Sequence, residues 1–289
     1  MSVHLLSFVA GIPHSDFLIN RFTKQAKACH FIDQTLVVAK GTHHLFNEFH
    51  HEFSTFVNEN SRGYGYWIWK PYIIKKYMSK LSHGDILIYA DIGCELSPVA
   101  FKKFNQYMQI LQKNDFLTFS TFNRQSEFHW CKKELLDLFN LPKAQLDEDQ
   151  VCATFFMLKV SDFSTNLIDD WFNLAKAKNF KYINNHCSKK QFPEFIEHRY
   201  DQAIFSMLIK KNNLLILKER SYFPPALYYK NSYVYQYVFH ALRSKSKKYF
   251  IEPRSLISYK YAIHQFFIYH LIFLCHRVNR KIKVLLGLL

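Results

Sequence analysis

Glycine and proline are scarce in this chain: 7 Gly and 8 Pro among 289 residues. A fibrous or loop-dominated protein needs far more of both, so those classes are excluded. The six cysteines, Cys29, Cys94, Cys131, Cys152, Cys187 and Cys275, are scattered and never spaced as C-x-x-C. They are expected to be reduced thiols rather than a zinc or disulfide framework. The 15 histidines include the neighbours His43–His44 and His50–His51, but no Cys or carboxylate spacing completes a zinc pattern around them. They read as polar surface. The first apolar residues are broken by His4, Pro13, His14 and Asp16, so no signal peptide and a cytoplasmic location are expected. Acids are the minority, 23 Asp and Glu against 38 Lys and Arg, for a net charge of +15. Such a field attracts nucleic acid, anionic lipid or phosphorylated ligands without choosing among them. No zinc finger, RNP-like segment or basic zipper is present, so nucleic acid is not an expected partner.

What the chain does have is apolar mass. Hydrophobic residues make up 49% and aromatic residues 18%, with 29 Phe and 18 Tyr. That supports a sizeable core, and the length fits one large domain, 1–248, with a C-terminal appendage, 249–289. Strand patterns fall at 5–10, 36–39, 86–90, 116–122, 152–159 and 214–218. Helical spacing falls at 16–29, with Phe17, Leu18, Phe22 and Ala26 on one face, and at 68–81, 98–112, 132–139 and 161–176. A further helix opens near Tyr200, and the polar, aromatic segment 41–65 is expected to be helix and then loop. Strands alternating with helices predict an α/β fold, with a mainly parallel, doubly wound sheet flanked by helices. The appendage differs. Its apolar part, 263–275, is interrupted by His264, Gln265 and His270 and is followed by Arg277, Arg280, Lys281 and Lys283. It is too short and too polar to span a bilayer, which takes about 20 apolar residues. A helix lying in a membrane interface and a helix packed on the domain both fit it.

Chemistry-bearing residues concentrate in three places. The strand at 86–90 delivers Asp91 close to Gly93, with Glu95 two residues further on. In an open α/β sheet, ligands bind outside the strand ends. A carboxylate there suits a hard cation that also holds phosphate oxygens; a turn or cap would use the same Asp91. Upstream, Arg62-Gly-Tyr-Gly-Tyr-Trp-Ile-Trp-Lys-Pro71 sets two glycines among cations and rings. Arg62 and Lys70 can reach phosphate, and Gly63 and Gly65 allow close approach to a ligand. The aromatic rings can stack on a base or sugar, although for Trp67 and Trp69 a core-facing position is expected. Third, Glu197-His-Arg-Tyr-Asp-Gln202 opens a helix, where Asp201 serves either as an N-cap or as a group that orients sugar hydroxyls or accepts a proton.

These segments resemble bacterial glycosyltransferases of the GT-A type that build capsule and lipopolysaccharide glycans. The likeness rests on Tyr66-Trp-Ile-Trp-Lys-Pro71 followed by Gly84-Asp-Ile-Leu-Ile-Tyr-Ala-Asp-Ile-Gly93. It extends to Trp130-Cys-Lys132, to 150–159 before an apolar helix holding Trp171, and to His198-Arg-Tyr-Asp-Gln202, over roughly residues 1–245. The Asp-Gln pair is also similar to a motif of glycogenin-like and lipopolysaccharide galactosyltransferases, which retain anomeric configuration. The resemblance implies a GT-A (Rossmann-like) fold. It also implies transfer of a sugar, with retention, from a nucleotide-diphosphate donor, UDP-linked, to a glycan or lipid-linked glycan acceptor. By the same likeness Asp201 and Gln202 are catalytic. Arg62, Lys70, Asp91, Gly93, His198, Arg199, His240 and Arg243 bind the donor, and Asp91 with Glu95 holds a divalent metal, Mn²⁺ or Mg²⁺. Gly93 stands where the second acid of a D-x-D pair would be, so a single-carboxylate metal site and basic side chains alone are both open. The basic appendage is expected to dock the enzyme peripherally on anionic lipid at the inner face of the cytoplasmic membrane. The rival expectation is a non-catalytic protein that binds a phosphorylated ligand in the same crevice, or a membrane-surface scaffold.

Overall fold

The computed structural model describes residues 1–12, 15–121, 126–219 and 237–241. Arg243 and the appendage 249–289 lie outside the described residues. In chain order the elements are β1 (Val3–Val9), α1 (Asp16–Ala28), β2 (Gln34–Ala39), α2 (His44–Glu59), the kinked turn α3 (Gly63–Tyr66), α4 (Trp69–Met78), β3 (Ile86–Ala90) and β4 (Glu95–Leu96). Then follow α5 (Phe101–Lys113), β5 (Phe116–Phe119), the short helices α6 (Glu127–Trp130), α7 (Lys133–Phe139) and α8 (Lys143–Asp147), β6 (Phe155–Lys159), α9 (Asp162–Phe180), α10 (Tyr200–Lys211), β7 (Ile216–Leu217) and β8 (Phe239–His240).

Six strands form one sheet in the order β2-β1-β3-β6-β5-β7. The pairs β2–β1, β1–β3 and β5–β7 are parallel. Strand β6 runs antiparallel to both its neighbours, β3 and β5. The expected α/β class and mainly parallel sheet are therefore present, with one reversed strand at the centre. The link from β5 to β6 holds the three short helices α6, α7 and α8. A separate two-stranded piece pairs β4 with β8, Glu95 facing His240.

Strands β1 and β3 are buried along their whole length, as strands covered on both faces are. Their side chains divide by the two-residue period of a strand. Leu6, Phe8, Leu87, Tyr89, Phe156 and Leu158 enter one core, beneath α2, α4, α9 and α10. Leu5, Ile86, Ile88, Phe155 and Met157 enter the other, beneath α1 and α5. Helix α9 starts on a capping box in which the Ser161 and Ser164 side chains satisfy each other's backbone N–H groups. It carries Trp171, fully buried, whose indole N–H donates to the Asp201 carbonyl at 3.0 Å. That bond, with the Trp171–Phe205 ring contact at 4.6 Å, fixes the N-terminal end of α10 against the sheet. Among the described residues no helix is long and apolar enough to cross a membrane.

Candidate functional site

The site is built around one ammonium group. Trp69, the first residue of α4, stacks on Phe8 of β1 with ring centroids 4.2 Å apart, and its indole N–H donates to the Gly63 carbonyl at 2.9 Å. Anchored this way, α4 turns the next residue, Lys70, inward beneath the end of β3. The Lys70 Nζ lies 3.3 Å from Asp91 Oδ1 and 2.8 Å from Asp201 Oδ2. It also donates to the Ala153 carbonyl at 3.1 Å. Asp91 follows β3 directly, Ala153 lies just before β6, and Asp201 is in the first turn of α10. Three elements distant in sequence thus meet on Lys70. Tyr89 donates its hydroxyl to the same Asp91 Oδ1 at 2.6 Å.

The electrostatics follow from burial. Asp201 is almost wholly buried. Desolvation pushes its carboxyl up to about 6, against the pull of Lys70 and with further upward pressure from Asp91. For Lys70 burial alone would lower the pKa, but the two carboxylates, Asp201 foremost, outweigh it and raise it. The lysine therefore stays charged. Two acids around one ammonium leave a surplus of one negative charge, and Asp91, with about 30% of its side chain exposed, is the member that faces outward.

Neighbouring groups hold this arrangement. Arg21 of α1 is buried and donates to the carbonyl of Cys94 at 2.8 Å and to that of Ile92, which clamps the turn containing Gly93. The Asp91 N–H donates to the Thr154 carbonyl at 2.7 Å. Gln202 accepts from the Ala153 N–H at 3.5 Å and donates to Gln150 Oε1 at 3.0 Å. Sequence reasoning passed over Arg21 because an arginine on an amphipathic helix normally reads as solvated.

No protein-family model matches the sequence, and no curated protein matches it. Among solved structures, the chain is similar to the apo form of mouse xyloside xylosyltransferase 1, with a TM-score of 0.44 and 9% identity over 86% of this chain and 100% of that one. A likeness at that level carries no weight for the activity.

The remaining candidates occupy different surroundings. Arg62 forms an ion pair with Glu197 and lies over the Tyr200 ring, 5.0 Å from its centroid. Arg199 stacks on Trp130 at 3.9 Å. His198 is buried, its Nε2 hydrogen-bonded to the Tyr182 carbonyl at 2.9 Å and its Nδ1 accepting from the Lys132 N–H at 3.4 Å. Burial lowers its pKa to about 3. His240, opposite Glu95 in the small sheet, hydrogen-bonds the Tyr237 carbonyl through Nε2 and is lowered by burial to about 4. Both histidines are thus neutral core groups, with no surface to offer a diphosphate. Glu95 has no exposed surface either and lies close enough to Arg21 to hold up that guanidinium's pKa. Gly63 and Gly65 do allow close approach, but of protein to protein: a Cβ on Gly63 would meet the Trp67 ring at 2.3 Å. Trp69 is core-facing as expected. Two open cavities of about 700 and 540 Å³ lie elsewhere, one along α2 and the 179–184 segment, the other between α6 to α8 and Phe192.

Proposed function

We propose that this chain is a glycosyltransferase of GT-A architecture that moves a sugar from a nucleotide-diphosphate donor, UDP-linked, to a surface-glycan acceptor. The observation behind the proposal is the meeting of Asp91 and Asp201 on the Lys70 ammonium at the end of β3. The carboxyl end of a sheet strand is where open α/β sheets bind ligands. Within this reading Arg62, whose side chain is about half exposed, supplies positive charge toward the departing diphosphate, and Lys70 holds Asp91 and Asp201 in place. Asp201, buried behind Lys70, orients the donor sugar, and Gln202 lines the reactive face.

Within this reading a divalent cation, Mn²⁺ or Mg²⁺, would be held by Asp91, whose carboxylate is partly exposed, together with donor phosphates; among the described residues no group of three or more His, Cys, Asp or Glu gathers as a metal cluster. Mg²⁺ is commonly held by one or two carboxylates plus substrate phosphates. The second carboxylate of this reading, Glu95, is fully buried. When bound, such a cation would neutralise charge on the leaving diphosphate. We read the stereochemical course as retention, on the likeness of the Asp201-Gln202 pair to the motif of retaining galactosyltransferases. Capsule or lipopolysaccharide as the acceptor, and membrane docking through 249–289, complete the proposal.

Donor turnover tests it. Incubation with a panel of nucleotide sugars, with and without Mn²⁺, should release nucleoside diphosphate from one donor, and Asp91→Ala should abolish the release. Tight nucleotide-sugar binding with no release from any donor would favour the non-catalytic ligand-binding protein instead.

A further inference from the structure

A chain of buried polar groups begins on the far side of α10 and ends at Gln202. Lys210 and Glu127 form an ion pair at 2.9 Å with side chains only 1% and 0% exposed. Lys210 has donors only, and it also donates to the carbonyls of Gln145 at 2.9 Å and Glu148 at 3.1 Å. The Glu127 carboxylate has acceptors only. Its Oε1 also accepts a hydrogen bond from the Ser206 hydroxyl, whose Oγ in turn accepts from the Val151 N–H at 2.8 Å. Its Oε2 accepts from Gln150 Nε2 at 2.8 Å.

Polarity then propagates without choice. Gln150 must turn its nitrogen to Glu127, so its oxygen faces Gln202. Gln202 must answer with its nitrogen, at 3.0 Å, so its own Oε1 faces the Ala153 N–H, at 3.5 Å. The carbonyl of that same Ala153 accepts from Lys70 Nζ. A glutamine carboxamide is nearly symmetric in shape, and only its partners decide which end points where.

We propose that Lys210, Glu127 and Gln150 are positioning residues that fix the orientation of the Gln202 carboxamide, holding its oxygen on the N–H of Ala153, the residue whose carbonyl binds Lys70. Its catalytic consequence rests on the glycosyltransferase reading; the orientation itself does not. A small misplacement of a group at the reacting centre costs far more in rate than in binding. The relay therefore acts on turnover rather than on donor affinity.

The test uses the full chain labelled with ¹⁵N-glutamine, in which the Gln202 side-chain NH₂ pair is assigned by its loss in Gln202→Met. In the wild type this pair should exchange slowly with solvent. In Gln150→Leu, which removes the link without stranding a charge, it should exchange as fast as exposed carboxamides. In the same variant kcat should fall about 10-fold or more while nucleoside diphosphate Kd stays within about twofold. The double variant Glu127→Leu/Lys210→Met, which removes the buried pair together, should repeat both effects. An unchanged Gln202 amide signal in Gln150→Leu, or an unchanged kcat with the amide released, would overturn the proposal. The amide measurement needs no donor, so a wild type that turns over no nucleotide sugar sinks the glycosyltransferase reading while the orientation is still decided.

Discussion

Lys70 decides the charge state of its neighbours, and the two acids respond to it in ways that can be separated. Removing the ammonium leaves Asp201 buried without a counter-charge. Lys70→Met should therefore destabilise the fold by roughly 3–5 kcal/mol, as breaking a buried pair does, and should raise the Asp201 carboxyl further above its value of about 6. Removing the like charge acts oppositely, so Asp91→Asn should lower the Asp201 carboxyl. A ¹³C titration of Asp201 in the three proteins checks both directions, and a shift of the same sign in both variants would refute the charge assignment. Lys70, Asp91 and Asp201 were legible in the sequence because each sits at the edge of an element with a clear pattern. Glu127, Gln150 and Lys210 were not, for the residues of the buried pair lie 83 positions apart and each reads alone as an ordinary surface polar group. His198 and His240 misled for the complementary reason: they stand beside residues of the right chemistry, but their rings turn into the core.

At the scale of elements, the turn at 63–67 shows how a glycine pattern can be read correctly and assigned to the wrong partner. Gly63 has φ +60°, and any Cβ there would lie 2.3–2.5 Å from the Trp67 ring. Gly41 has φ +77° and open space around it. Gly41→Ala should therefore cost only the left-handed strain of about 1–2 kcal/mol. Gly63→Ala should cost that and overpacking of about 1–3 kcal/mol besides. Urea melts of the two variants measure the difference, and equal losses would show that the ring yields freely. The positions of the main strands and helices were legible to within a few residues because each carries a long apolar run or a helical stripe. The direction of β6 was not. A strand's residues record that both its faces are buried, which is equally true whether its neighbours run with it or against it.

For the whole molecule, the buried titrating groups predict how folding responds to acid. His198 and His240 have folded pKa values of about 3 and about 4, depressed below the ordinary histidine value near 6.5. Each contributes stability that is present above about 6.5 and is lost as pH falls toward its folded value. Asp201 works the other way. Its folded pKa of about 6 lies above the ordinary value near 3.9, so its contribution is full at low pH and is lost as pH rises through about 6. Between about pH 6 and 5 the unfolded chain gains two protons on the histidines that the fold refuses, while the fold holds one on Asp201 that the unfolded chain lacks. For these three groups the net is about one proton, and His43, also lowered by burial, adds to it, so unfolding free energy should fall as the pH is lowered through this window. Replacing either histidine with Gln should flatten the slope in that window, and replacing both should flatten it further. Urea midpoints for the four proteins at several pH values across that interval read this directly, and a slope unchanged by both substitutions would mean that neither ring is held neutral by the core.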